Sequence, residues 1–283
     1  SRHIKMKNLY KYILFSLTVF FVSCEETIDI DTITSEPKVV IDGVLTNNSE
    51  LNFIKLSYTR GFYSLDPNPA ITDAVVTVTD DADNEVVYIH NPNNDPSKKG
   101  YYYPQTPYAG SIWTTYRLKV TVDGVDYTAS ETMLPVTKID SLVVTIDEEE
   151  REDPDEEGEF YEVLFYAKEP QDRVDHYLFK FYKNGLTLRD FEGDIYFADD
   201  DFLGESISGV PTAGYYKLGQ YAKVEMYSIT REAFIYYNDL SNLLNNDGGM
   251  FTPPPANPRT NLSNGAFGYF QVSAVDIMEV EIK

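Results

Sequence analysis

Apolar and polar residues alternate with a period of two over much of the chain. In YRLKVTVDGVDYTA, Tyr116, Leu118, Val120 and Val122 share one face while Arg117, Lys119 and Thr121 share the other, the pattern of a strand with one buried side. Asp123-Gly124 follows, a pair that accepts the positive φ angles of a type I′ turn, so Val125, Tyr127 and Ala129 are expected to return as the partner strand. HYLFKFYKNGLTL repeats the arrangement, with Tyr177, Phe179 and Phe181 alternating before Asn184-Gly185. Further strands are expected at 39–45, 52–57, 74–79, 85–89, 142–146, 162–167, 223–229 and 278–282.

One stretch changes period. TREAFIYYNDLSNLLNNDGG sets Ala233, Tyr237, Leu240 and Leu244 at helical spacing. Thr230 is placed to cap a helix near 231–245, Glu232 falls in its electropositive first turn, and Gly248-Gly249 ends it. The prolines of FTPPPANPRTNLSNG lack backbone donors, which makes that stretch a surface loop. The expected fold is therefore mainly β. An N-terminal immunoglobulin-like antiparallel sandwich over 37–140 rests on length and strand spacing, without the Cys and Trp marks of a true immunoglobulin domain. A second β-rich domain over 141–283 carries the one helix. Between them, 147–159 has ten acids in thirteen residues, a density that opposes packing and reads as a mobile hairpin tip or loop.

The first 24 residues add a location. Lys5, Lys7 and Lys11 precede an apolar run over 12–22 broken only by Ser16 and Thr18, too short to cross a bilayer and ordered like a secretory signal. Residues 1–23 are thus expected to be a signal peptide starting at Met6, with 1–5 as upstream readthrough. Phe21-Val22-Ser23-Cys24 resembles a bacterial lipobox, and that resemblance implies acyl chains on Cys24, the only cysteine. Several chains make membrane attachment lasting, since each buried methylene contributes about 0.8 kcal/mol. In the acidic tether over 24–36, Glu25 and Glu26, followed by Asp29 and Asp31, resemble the surface-export signal of Bacteroidota lipoproteins. The implied location is the outer membrane, lipid-anchored and facing the exterior.

Removing residues 1–23 takes away four bases and no acid, leaving 46 acids against 19 bases, a net charge of −27. Such a chain is a poor partner for nucleic acid. Candidate chemistry is sparse. His90 and His176 are the only histidines after residue 23, and neither has a recognisable base and orienting group beside it. GESISG at 204–209 departs from Gly-x-Ser-x-Gly at Ser208 and reads as a loop. Oxygens alternate through 80–85 and cluster at 199–201, but neither stretch has the glycine and distal glutamate of a calcium loop. No cofactor or metal is expected, with structural calcium the alternative to polar turns. The densest aromatic cluster, GYYYPQTPYAGSIW, offers Tyr101, Tyr102, Tyr103, Tyr108 and Trp113 as a contact surface, or as core and edge packing.

The order of GVLTNNSELNFIKLSYT, DAVVTVTDD, YRLKVTVDGVDYTASETMLPVTKIDSL, REAFIYYNDLSNLL and TPPPANPRTNLSNGAFGYF resembles the Bacteroidota lipoprotein family catalogued as domain of unknown function 4249. The resemblance implies a surface lipoprotein, often encoded beside TonB-dependent receptors, with no catalytic residues and with a Gly-rich closing strand. Within it, Gly124, Gly265 and Gly268 read as turn or close-approach glycines. The leading expectation is a noncatalytic accessory or substrate-capture partner of a TonB-dependent transporter. A stand-alone glycan- or protein-binding adhesin, and a carboxylate-dependent surface hydrolase, are the alternatives.

Overall fold

A computed structural model describes residues 36–60, 66–199, 206–246 and 256–283. The signal, Cys24, Glu25 and Glu26 lie outside the described residues, as do Gly204, Asp200 and Asp201. The strands are β1 (Val39–Thr46), β2 (Phe53–Tyr58), β3 (Val75–Thr79), β4 (Glu85–His90), β5 (Tyr101–Pro104), β6 (Thr115–Val122), β7 (Val125–Thr132) and β8 (Ile139–Ile146). They continue with β9 (Tyr161–Lys168), β10 (His176–Lys183), β11 (Leu186–Leu188), β12 (Tyr196–Asp199), β13 (Ser206–Pro211), β14 (Tyr221–Ser228), β15 (Phe267–Ser273) and β16 (Val275–Glu281). Two α-helices, α1 (Glu148–Glu152) and α2 (Arg231–Leu244), and a short 3-10 helix at Pro96–Lys98 complete the described elements. The protein is mainly β, and among the described residues no helix is long and apolar enough to cross a membrane.

Both hairpin turns form as their chemistry requires. Asp123 and Gly124 take φ of 50° and 78°, and Asn184 and Gly185 take 51° and 79°, so Val122 pairs with Val125 and Lys183 with Leu186. The first seven strands join in one sheet whose eighth member comes from the other end of the chain, in the order β15-β1-β2-β5-β4-β3-β6-β7. β15 runs parallel to β1, with Ile41 opposite Gly268. The loop before β15 also ties the far edge: Ser263 N donates to Thr128 O at 2.9 Å, and Thr128 N donates to Ser263 Oγ at 2.8 Å. The sheet thereby curls, barrel-like, around a core that includes Ile41, Leu45, Ile54, Leu118, Val120 and Phe270.

Near residue 140 the chain leaves this sheet. β8, β9 and β13 form a three-stranded sheet, while β11-β10-β14-β16, with β12 also on β10, form a five-stranded one. Phe165 of β9 meets Phe179 and Phe181 of β10, at centroid distances of 5.4 and 6.1 Å, in the core between the two sheets. Because β15 returns to β1, residues 37–283 gather into one compact unit.

Two local expectations change. The acidic 147–159 segment does connect β8 to β9, but as an ordered hairpin tip with a helical turn. Asp147 caps α1 by accepting from Glu149 N at 3.0 Å and Glu150 N at 3.1 Å. Lys183 Nζ lies 3.0 Å from Glu159 and Lys217 Nζ 3.3 Å from Glu156, so neighbouring cations offset the repulsion. Residues 206–209 of GESISG lie in β13, an edge strand paired to β9 with a bulge at Gly209, where φ is 66°.

Candidate functional site

β10 has two buried faces. Tyr177, Phe179 and Phe181 point into the core between the three- and five-stranded sheets, while Leu178 packs with α2 and Tyr269 on the opposite side. Lys180 and Tyr182 follow Leu178 on that second side by the alternation of the strand. There β10 meets the outer surface of β1 and β2, bringing Lys180 towards Asp42, Val44 and Phe53 across a cleft of about 400 Å³. Helix α2 closes one wall with Tyr236, Tyr237, Leu240 and Leu244, and Tyr269 and Tyr196 close others.

The helix is held where the wall needs it. Thr230 caps it by accepting from Ala233 N at 3.2 Å and donates its own hydroxyl to Glu131 of β7. Glu131 also accepts from Tyr269 Oη at 2.8 Å and Asn261 Nδ2 at 2.9 Å. One buried carboxylate thus joins the helix start, the 260s loop and β15; burial pushes its pKa up, against the pull of these three donors.

The charges inside the cleft are arranged unequally. Glu225 of β14 is saturated: Lys223 Nζ donates at 2.7 Å, Tyr182 Oη at 2.9 Å and Tyr227 Oη at 2.6 Å. Burial opposes its ionisation, but these donors outweigh it and its pKa falls below 4.5. Lys180 stands beside Glu225 in the register, yet its ammonium rests over the Tyr227 ring, 4.7 Å from the centroid. Burial lowers its pKa, with Glu225 and Asp42 pulling the other way.

Asp42 is the reverse of Glu225. It sits directly opposite Lys55 in the ladder, but Lys55 places its ammonium over the Tyr101 ring, 5.3 Å from the centroid. Among the described residues no hydrogen bond or ion pair reaches the Asp42 carboxylate. Asp42 is exposed at the cleft, and the protein packed around its carboxyl raises the pKa from the ordinary aspartate value in spite of Lys180 and Lys55. An acid and an amine thus face one cleft without closing on each other.

A family profile described as Domain of unknown function (DUF4249) matches residues 25–277. The chain belongs to this family. No curated protein matches it.

In this DUF4249 chain the unpaired acid makes a measurable signature. A carboxyl with a raised native pKa binds protons more readily when folded, so its contribution to stability falls as pH rises from the unfolded to the native value. Asp42→Asn is expected to be neutral below about pH 3.5 and to stabilise by about 0.5 kcal/mol at about pH 7, a small figure because water in the cleft screens the charge. Urea denaturation at the two pH values measures this. A variant less stable than its parent at neutral pH would mean that the carboxylate has a protein partner.

The aromatic cluster of the DUF4249 chain divides by strand parity. Tyr102 points inward, 1% exposed, donating to Ile71 O at 3.1 Å and accepting from Ala74 N at 3.0 Å. Tyr108 shares a 2.9 Å hydroxyl contact with Tyr88 and packs against the same core. Tyr101 and Tyr103 lie on the other face, ring centroids 6.2 Å apart and 13° from parallel, with Phe53 5.5 Å from Tyr101. Trp113 is 65% exposed on a loop, with φ of 66°. The five residues therefore do not form one surface: two support the barrel-like core and three face outward.

The other candidates serve local structure. His90 Nε2 accepts from Gly100 N at 3.0 Å, and His176 packs edge-on to Phe234 at 5.0 Å. Asp80 Oδ1 accepts from Ala82 N and Asn84 N, both at 2.9 Å, and Arg117 spans Asp80 O and Asp83. Those oxygens close a turn. Among the described residues no group of three or more His, Cys, Asp or Glu is placed to hold a metal ion. Sequence reasoning missed Asp42 and Lys180. Both read as solvent-facing positions of alternating strands, and nothing local marks them otherwise.

Proposed function

We propose that this protein is a noncatalytic lipoprotein of the bacterial outer membrane, anchored through acylated Cys24, exported through Glu25 and Glu26, and facing the exterior. There it captures a small ligand as the accessory partner of a TonB-dependent transporter. The observation that carries the capture role is the cleft: aromatic walls around a volume of about 400 Å³, with Asp42 and Lys180 left unpaired inside it. Clefts of that size with a few polar groups suit small ligands. A base oriented towards a nucleophile would suit chemistry better, and His90 and His176 are engaged elsewhere. The anchor is supported by the basic, apolar, cysteine order of residues 5–24 and by a family match that begins at residue 25.

Two measurements test the proposal together. Cells expressing the chain with radiolabelled palmitate are expected to label it, and Cys24→Ser is expected to abolish both label and membrane association. From detergent-solubilised outer membrane, a transporter is expected to co-purify in fixed proportion. An unlabelled, freely soluble product overturns the anchor; a labelled protein that purifies alone overturns the partnership. The latter outcome favours the adhesin reading, which draws its support from the outward stack of Tyr101 on Tyr103.

A further inference from the structure

From the cleft's two unmatched charges we infer that it binds a small zwitterion, a free amino acid or short peptide, with its ammonium at Asp42 and its carboxylate at Lys180. The inference takes the ligand-capture reading as its setting and adds the chemical class of the ligand. Charged side chains deep in the fold are ordinarily paired, because desolvation without a partner is costly, whereas a charge that reaches solvent through a cleft can stay open to a ligand. Glu225 follows that rule three times over, with Lys223, Tyr182 and Tyr227 as its donors. Asp42, exposed at the cleft, and Lys180, half-buried in it, have no hydrogen bond or ion pair among the described residues. Lys55, the neighbour best placed to neutralise Asp42, is turned onto Tyr101, and Glu225, the neighbour best placed to neutralise Lys180, is already occupied.

The two charges come from different sheets, β1 and β10, and the space between them is the cleft itself. A ligand with one positive and one negative end satisfies both at once, whereas a neutral sugar satisfies neither and a simple anion or cation leaves the other exposed. The remaining walls set the middle of the ligand. Tyr236 stacks on Tyr269 with centroids 4.9 Å apart, and Leu240 and Phe53 line the same space, so an aromatic or aliphatic side chain fits between the poles. The volume accommodates a dipeptide.

The experiment is titration calorimetry on the purified full chain in detergent, with the dipeptide Phe-Ala as probe. N-acetyl-Phe-Ala removes the ammonium, Phe-Ala amide removes the carboxylate, and maltotriose is the neutral comparison. Phe-Ala is expected to bind with a dissociation constant at or below about 1 mM, and each blocked form at least ten-fold more weakly. Asp42→Asn is expected to bind Phe-Ala and its N-acetyl form alike, and Lys180→Gln to bind Phe-Ala and its amide alike. This crosswise loss distinguishes recognition of each end from general damage, and thermal melts of both variants check folding. Equal affinity for free and blocked dipeptides, binding of maltotriose in place of Phe-Ala, or no heat from Phe-Ala up to its solubility overturns the inference. Because no transporter or membrane is present, such a failure leaves the palmitate result standing, and a failed palmitate label leaves the binding result standing.

Discussion

Gly268→Ala is expected to remove most of the protein's stability. Gly268 has φ of 96°, and a Cβ built there falls 2.1 Å from Ile41 O and 2.8 Å from Ile41 C. Both atoms are backbone, in the strand that Gly268 pairs with, so no side chain can rotate to make room. The parallel ladder between β1 and β15 has to open, and with it the contact of Phe270 and Val272 with the barrel-like core. We expect a loss of at least about 4 kcal/mol, in the range reserved for severe mechanisms, read as the shift in a urea or thermal transition. Gly124→Ala is the control. Its φ is 78° but nothing lies within 4 Å of the added Cβ, so only the left-handed backbone cost of about 1–2 kcal/mol applies. If the two substitutions cost the same, β15 does not lie against β1 as described. Since Asp42 follows Ile41 directly, Gly268→Ala is also expected to abolish dipeptide binding.

Glu225→Ala comes next, with an expected loss of about 3–5 kcal/mol, the usual consequence of removing one member of a buried charged network. Glu225 is 1% exposed, and its carboxylate accepts hydrogen bonds from Lys223 Nζ, Tyr182 Oη and Tyr227 Oη. Without it the ammonium and both hydroxyls lose their acceptor in a place water reaches poorly. Glu225→Gln keeps the shape and loses the charge, so it is expected to cost less than alanine and to change the acid limb of stability. A native pKa below 4.5 means the stabilisation is present above the unfolded value and lost as pH falls through the native one. The parent therefore loses this contribution on acidification and the glutamine variant does not, a contrast opposite in sign to that of Asp42→Asn. Urea midpoints across the acid range decide it. Equal acid limbs in the parent and the glutamine variant would show that Glu225 is not the ionised centre of the network.

Much of the framework is legible in single strands. Leu118 and Val120 are 1% and 0% exposed, as alternation requires, and Thr230 caps α2 with Tyr237, Leu240 and Leu244 on the face that lines the cleft. Short irregular strands carry less of this local signal. β5 is four residues, YYYP, with no polar position to show alternation, and only its neighbours β2 and β4 reveal that Tyr102 turns inward while Tyr101 and Tyr103 turn out. β13 was hidden by Gly209, whose bulge shifts the register that alternation depends on.

By itself the sequence determined a mainly β chain, its two Asx-Gly hairpins, its one long helix and the apolar side of each regular strand. All of these depend on contacts within a few residues, where periodicity, caps and turn chemistry act. Only the tertiary structure decided that β15 lies parallel to β1, that β10 is covered on both faces, and that Asp42 and Lys180 share a cleft. Alternation separates the two sides of a strand but cannot tell water from a second layer. For Asp42 that layer is supplied by β10, α2 and Tyr269, more than a hundred positions away, and their docking is set by how the sheets curl and pack rather than by any local pattern.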